Sequence, residues 1–179
     1  MAAPLTSVVV KALEKHTATV IILHGLGDTG NGCPDLPITL NNGYKMPAWY
    51  DIRSLDKLDG VEDEQGMLRT VSSINRLLGE EISEEVPSSR IVLAGFSQGS
   101  AMALLTLLTS ERKFAGAAVL SGYLPLSNKI FAMAADSNKK TPIFAAHGEE
   151  DEVVKFHYGQ QSVEALKRQG YNVDFHIYP

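Results

Sequence analysis

Gly95-Phe96-Ser97-Gln98-Gly99 sets one serine between two glycines in the G-x-S-x-G pattern of a nucleophile elbow. A serine on a sharp strand-to-helix turn has a strained backbone, and side chains on its flanks would collide with the strand or the helix. The turn aims the Ser97 hydroxyl out of the sheet, at the positive end of a helix starting at Gln98. That hydroxyl is a weak nucleophile until a base takes its proton, and the base needs an acid to orient it. On sheets of this kind the chain order is serine, acid, histidine. Downstream of Ser97, Glu149-Glu150-Asp151-Glu152 offers the acid. Asp151 reads both as a triad acid and as a cap for a helix beginning near Val153.

An acyl-transfer site also needs donors for the oxyanion. One should be the Gln98 N–H, next to the nucleophile. The other should come from the glycine-rich loop His24-Gly25-Leu26-Gly27-Asp28-Thr29-Gly30-Asn31-Gly32, with Leu26 as its donor. Phosphate binding by that loop is disfavoured, because it lacks the G-x-x-x-x-G-K-[ST] lysine and the G-x-G-x-x-G spacing. The base is not found. His24 and His147 each precede a glycine at a strand end, His157 falls in the first turns of a helix, and His176 lies inside the last strand. Together with His16 they read as structural, since the base should sit just beyond the strand that follows Asp151.

The elements that must position these groups follow from periodicity. Thr17 to His24 is a β-branched run of strand length, expected to be buried. Residues 25–62 show no convincing helix or strand: prolines at 34, 37 and 47 and the turn pair Asn42-Gly43 interrupt them. Asp63 to Glu85 carries Met67, Val71, Ile74, Leu77, Leu78 and Ile82 on one helical stripe. Arg90 to Phe96 is a continuous apolar run, as for a strand buried on both faces, and a helix follows it from Ser100 to Leu108. Further strands are expected at 116–122, 141–148 and 172–178, a short helix around 130–135, and a helix over 153–169 closed by Gly170. Strands alternating with helices indicate parallel βαβ units, whose ligand sites lie beyond the carboxyl ends of the strands. Ser97, the His24–Gly32 loop and the His147–Val153 loop should meet there.

Composition narrows the function. The 179 residues, 44% of them hydrophobic, suffice for one domain with a full core. A net charge of −5 offers no basic patch for nucleic acid or anionic membranes. Cys33 is the one cysteine, which excludes an intrachain disulfide and favours a reducing compartment. No basic segment precedes the mildly apolar Met1–Val10, and no 18-residue apolar run occurs, so neither signal peptide nor membrane span is expected. No metal site and no cofactor is indicated.

The chain resembles the acyl-protein thioesterase family, α/β-hydrolases related to lysophospholipases and bacterial carboxylesterases. The resemblance is carried by His24-Gly25-Leu26-Gly27-Asp28-Thr29-Gly30, Met46-Pro47-Ala48-Trp49-Tyr50-Asp51-Ile52, Gly95-Phe96-Ser97-Gln98-Gly99, Leu120-Ser121-Gly122-Tyr123-Leu124-Pro125, and His147-Gly148 followed by Asp151. It implies an α/β-hydrolase with a mostly parallel sheet and helices on both faces. It also implies a Ser97–Asp151–His triad, an oxyanion hole from Leu26 and Gln98, and Trp49 near an acyl channel. The implied substrates are S-palmitoylated proteins, such as G-protein α subunits and Ras-like proteins, with lysophospholipids and small esters as further ones. Contact with membranes would be transient and the location cytoplasmic, also nuclear. Two departures stand out. Family members carry about a helix and a strand where Gly32-Cys33-Pro34 passes directly to Pro37-Ile38-Thr39-Leu40-Asn41. The family's Gly-x-x-His motif follows the strand that here ends in Tyr178-Pro179, so the triad histidine is expected to be absent and the turnover low.

Overall fold

The computed structural model describes residues 5–28, 32–55 and 61–179. Thr29, Gly30 and Asn31 of the glycine-rich loop lie outside the described residues, as do Met1 to Pro4 of the N-terminal segment.

The elements are β1 (Thr19–Leu23), β2 (Asp35–Ile38), β3 (Tyr44–Pro47), α1 (Glu64–Ser83), β4 (Ile91–Phe96), α2 (Gln98–Thr109), β5 (Gly116–Leu120), α3 (Ile130–Met133), β6 (Ile143–Gly148), α4 (Phe156–Arg168) and β7 (Val173–Tyr178). Five strands form one parallel sheet in the order β1-β4-β5-β6-β7. This is the expected α/β-hydrolase arrangement of a mostly parallel sheet flanked by helices, except that among the described residues helices cover one face of the sheet and not both.

Because side chains alternate along a strand, residues paired across a parallel sheet share a face. The row Ile21, Leu93, Ala117, Ile143 and Val173 is buried throughout, facing α2 and α4. Helix α2 is buried from Gln98 to Leu108, between the sheet and the apolar stripe Met67, Val71, Ile74 and Leu78 of α1. The neighbouring row Ile22, Ala94, Ala118 and Phe144 lies on the other face. There Ile22 is 73% exposed and Phe144 38%, and among the described residues no helix covers them. Strand β1 is thus an edge strand with one open face, not the buried strand its β-branched run suggests. Strand β4 is likewise covered on one face only, with Phe96 54% exposed at its end.

Residues 35–47 depart from the expectation of a structureless stretch. Strands β2 and β3 pair as an antiparallel hairpin, turning at Asn42 and Gly43, both at positive φ (54° and 78°). Pro37 is tolerated because a two-stranded ribbon is all edge. The hairpin holds Ala48, Trp49 and Tyr50 against the start of α2.

Candidate active site

Ser97 joins β4 to α2 at φ 50° and ψ −118°, a conformation that is strained for any residue with a side chain. The flanking glycines make that turn possible. A Cβ on Gly95 would collide with the backbone of Gly99 and Ser100, and one on Gly99 with the carbonyl oxygens of Leu23 and His24. The elbow and the glycine-rich loop are therefore in backbone contact. The Ser97 N–H donates to Leu120 O (2.9 Å), which fixes the turn to the end of β5.

Gln98 opens α2, so its N–H has no intrahelical acceptor. On the facing loop the Gly27 N–H donates to Pro47 O (2.8 Å) and the Asp28 N–H to Gly25 O (3.3 Å). Among the described residues neither the Leu26 nor the Gln98 N–H has an acceptor. A Cβ at Gly25 would lie 3.7 Å from Ser97 Cβ, so the Gly25–Leu26 backbone passes directly beside the serine. The two predicted donors and the predicted nucleophile are thus brought together.

Asp151 lies in the loop after β6, which the parallel sheet places at the same end. Its Oδ1 accepts from the Val153 and Val154 N–H groups, both at 2.9 Å. It closes a local turn and does not cap α4, which begins five residues later, behind Lys155. The carboxylate keeps some exposure (18%), so Oδ2 retains accepting capacity.

The histidines are engaged elsewhere. His24 Nδ1–H donates to Gly25 O (2.7 Å), which leaves Nε2 to accept from the Cys33 thiol at 3.2 Å. Burial pushes that thiol up to about 11, in keeping with a neutral S–H donor. His147 is 2% exposed and donates from Nε2 to Val154 O (2.7 Å). His176, on the open face of β7, bonds Asp174 at 2.9 Å and stacks on Phe144. His16 pairs with Thr19, and His157 is exposed on α4.

Trp49 is 3% exposed and lies under the glycine-rich loop, donating its indole N–H to His24 O (2.8 Å). It offers a substrate little surface.

Several groups around the site were not legible in the sequence. The Tyr50 and Tyr123 hydroxyls meet at 2.7 Å, both held well above the ordinary phenol range by burial. Glu62 accepts from the Leu126 N–H (2.8 Å), and burial raises its carboxyl to about 7. The Gln98 side chain, which the motif marks only through its backbone, is 1% exposed and bonds two backbone groups of the 49–50 segment. A polar side chain at the first position of an apolar helix was the available signal.

The profile of the phospholipase/carboxylesterase family matches residues 31–179. A protein of Cryptococcus neoformans named acyl-protein thioesterase 1 is 46% identical over 176 residues, covering 86% of this chain and 74% of that protein. A Neurospora crassa protein of the same name is 43% identical, covering 95% of this chain and 81% of the relative. Among solved structures, Arabidopsis thaliana SOBER1 superposes with a TM-score of 0.85 at 30% identity, over 92% of this chain and 89% of that one. Zea mays acyl-protein thioesterase 2 gives 0.83 at 27% identity, over 94% and 87%.

Proposed function

The chain belongs to the phospholipase/carboxylesterase family of α/β-hydrolases, and from that premise we propose that it is a serine thioesterase that removes palmitoyl and related acyl groups from protein cysteines. Hydrolysis of esters or thioesters is the activity of the family. The observation that carries the serine-hydrolase part of this reading is the Ser97 turn, strained and set beside the Leu26 and Gln98 N–H groups, neither of which has an acceptor among the described residues. The relatives named acyl-protein thioesterase 1 support a thioester as substrate.

In this reading Ser97 Oγ attacks the thioester carbonyl carbon, and its proton passes to a base. The tetrahedral oxyanion accepts hydrogen bonds from Leu26 and Gln98, each worth about 10²–10³ in rate. The C–S bond then breaks, the cysteine sulfur leaves with the proton, and water hydrolyses the acyl-Ser97 ester by the same route in reverse. Asp151 is the acid that would orient that base, although none of the five histidines stands between it and Ser97. Lysophospholipids and small esters present the same carbonyl and are further substrates. The protein partners are S-acylated proteins, of which G-protein α subunits and Ras-like proteins are examples, met in the cytoplasm and nucleus at a membrane surface.

A second reading rests on the histidines. None stands between Ser97 and Asp151: His147 lies 3.5 Å from Asp151 but gives its proton to Val154 O, and the others are bonded or exposed elsewhere. With no imidazole between them, the oxyanion hole and binding alone leave roughly 10³–10⁴-fold over water. The chain would then act chiefly as an acyl-binding or decoy form.

Labelling of the purified chain with a fluorophosphonate, beside a Ser97→Ala control, tests both. Labelling that disappears in the control supports the nucleophile. A folded sample that binds fatty acid without labelling supports the acyl-binding form and removes Ser97 from the chemistry.

A further inference from the structure

Two donors on separate segments stabilise an oxyanion only if their separation is held to a fraction of an ångström. Gln98 belongs to the elbow and Leu26 to the loop after β1, and among the described residues no backbone hydrogen bond joins the two segments. The connection runs through side chains. Gln98 Oε1 accepts from the Trp49 N–H at 2.9 Å, and Nε2 donates to Tyr50 O at 2.8 Å. A carboxamide is the side chain suited to this, since it presents one acceptor and one donor to a backbone that offers the converse pair. Trp49 carries the connection onward, because its indole N–H donates to His24 O at 2.8 Å, two residues before Leu26. On the far side of Leu26 the Gly27 N–H is bonded to Pro47 O at 2.8 Å, two residues before Trp49. Leu26 is thus pinned on both flanks to the segment that Gln98 grips.

We propose that the Gln98 side chain and the Trp49 indole form a positioning bridge that sets the separation of the Leu26 and Gln98 donors. The bridge is a continuous path: Gln98 backbone, Gln98 carboxamide, Trp49 backbone, Trp49 indole, His24 carbonyl, Leu26 backbone. Gln98 is 1% and Trp49 3% exposed, so water does not compete for these bonds. Thr70 Oγ–H donates to Trp49 O at 2.5 Å and anchors the middle of the path to α1. Trp49 acts on the reaction through the loop, as a positioning residue, and not by contact with the acyl chain. This proposal rests on Ser97 being the nucleophile.

Trp49→Phe keeps a ring in place and removes only the indole N–H. Fluorophosphonate labelling of Ser97 at several probe concentrations separates probe affinity from the rate constant of the bond-forming step. That rate constant should fall at least about tenfold, toward the 10²–10³ of a lost oxyanion donor, with affinity and final extent of labelling unchanged. Gln98→Glu, which keeps the shape but turns a carboxylate oxygen on Tyr50 O, should show the same fall. Thr141→Val, which removes the buried hydroxyl bonded to Asn138 (2.9 Å) far from the elbow, controls for lost stability and should lower the melting temperature alone. Variants that label at the wild-type rate, or that lose only final extent, overturn the bridge. A wild-type chain that does not label at all overturns the nucleophile and the bridge together, whereas labelled wild type with unaltered variants overturns the bridge alone.

Discussion

His147 Nε2 lies 3.5 Å from Asp151 Oδ2, yet its proton goes to Val154 O at 2.7 Å. The spacing invites reading the two as the acid and base of a triad, and the packing excludes it. The ring is 2% exposed, meets the edge of Phe156, and leaves no room for a side chain at Gly159, whose Cβ would collide with Nδ1. His147 therefore ties the loop after β6 to α4 and cannot shuttle protons to Ser97. Asp151→Asn keeps an oxygen for the Val153 and Val154 N–H groups and removes the charge. With no imidazole oriented by Asp151, Ser97 labelling should stay within about threefold of wild type. An intact triad would instead lose roughly 10⁴, so a drop of that size would show that a histidine does bridge the two residues.

The strain at Ser97 is open to a stability measurement. A non-glycine residue in this region of φ and ψ costs of order 1–3 kcal/mol, partly offset by the chain entropy a glycine adds to the unfolded state. Ser97→Gly should raise the unfolding free energy by about 1 kcal/mol, or roughly 2–4 °C in melting temperature for a chain of this size, while abolishing labelling. Gly99→Ala should do the opposite on stability, since its Cβ meets the Leu23 and His24 carbonyls, which are backbone and cannot swing aside. An unchanged melting temperature for Ser97→Gly would mean that the turn is unstrained in solution.

The elbow was legible because three levels agree there: an apolar strand, two glycines where a Cβ cannot fit, and an apolar helix. The order and type of the elements from Asp63 onward follow from periodicity in the same way. What periodicity could not supply was context. The run Thr19–Leu23 has the composition of a buried strand, but burial needs a partner on each face, and whether one exists is a property of the whole chain. The β2–β3 hairpin was hidden by Pro37 and Pro47, although Asn42-Gly43 marked its turn. The bridge from Gln98 to Trp49 spans 49 residues in sequence, and no spacing rule reaches that far.

Glu62 gives a pH dependence of definite sign. Burial is the main cause of its rise from 4.5 to about 7; the Leu126 N–H and Lys129 oppose the rise, and Glu64 adds to it. Among the described residues its Oε1 has no hydrogen-bond partner. A carboxyl whose folded value is raised holds its proton better folded than unfolded. Its contribution is therefore favourable below about pH 4.5 and is lost as the pH climbs to 7. Glu62→Gln keeps an acceptor for Leu126 and removes the charge, so it should stabilise the protein above pH 7. After allowance for solvent at a half-buried group, the gain should be about 1–2 kcal/mol, vanishing near pH 4.5. Thermal melts of both proteins from pH 4.5 to 8.5 read this directly. A difference that does not change with pH would show that Glu62 titrates normally.

The open face of the sheet predicts behaviour in solution. Val20 and Ile22 are 59% and 73% exposed on an edge strand, and Phe96, Leu120 and Phe144 continue the apolar surface across three more strands. An uncovered edge next to an apolar face favours association, and natural edges are commonly blunted by lysine. Val20→Lys and Ile22→Lys point away from α2, so they remove no packed side chain and should leave the melting temperature within about 2 °C. The double variant should remain in solution at concentrations where the parent chain aggregates, as read by light scattering at matched concentration and salt. The buried counterpart Ile21→Lys, on the face toward α2, should fail to fold. If the two exposed lysines destabilise the protein as Ile21→Lys does, that face is covered in solution and β1 is not an open edge.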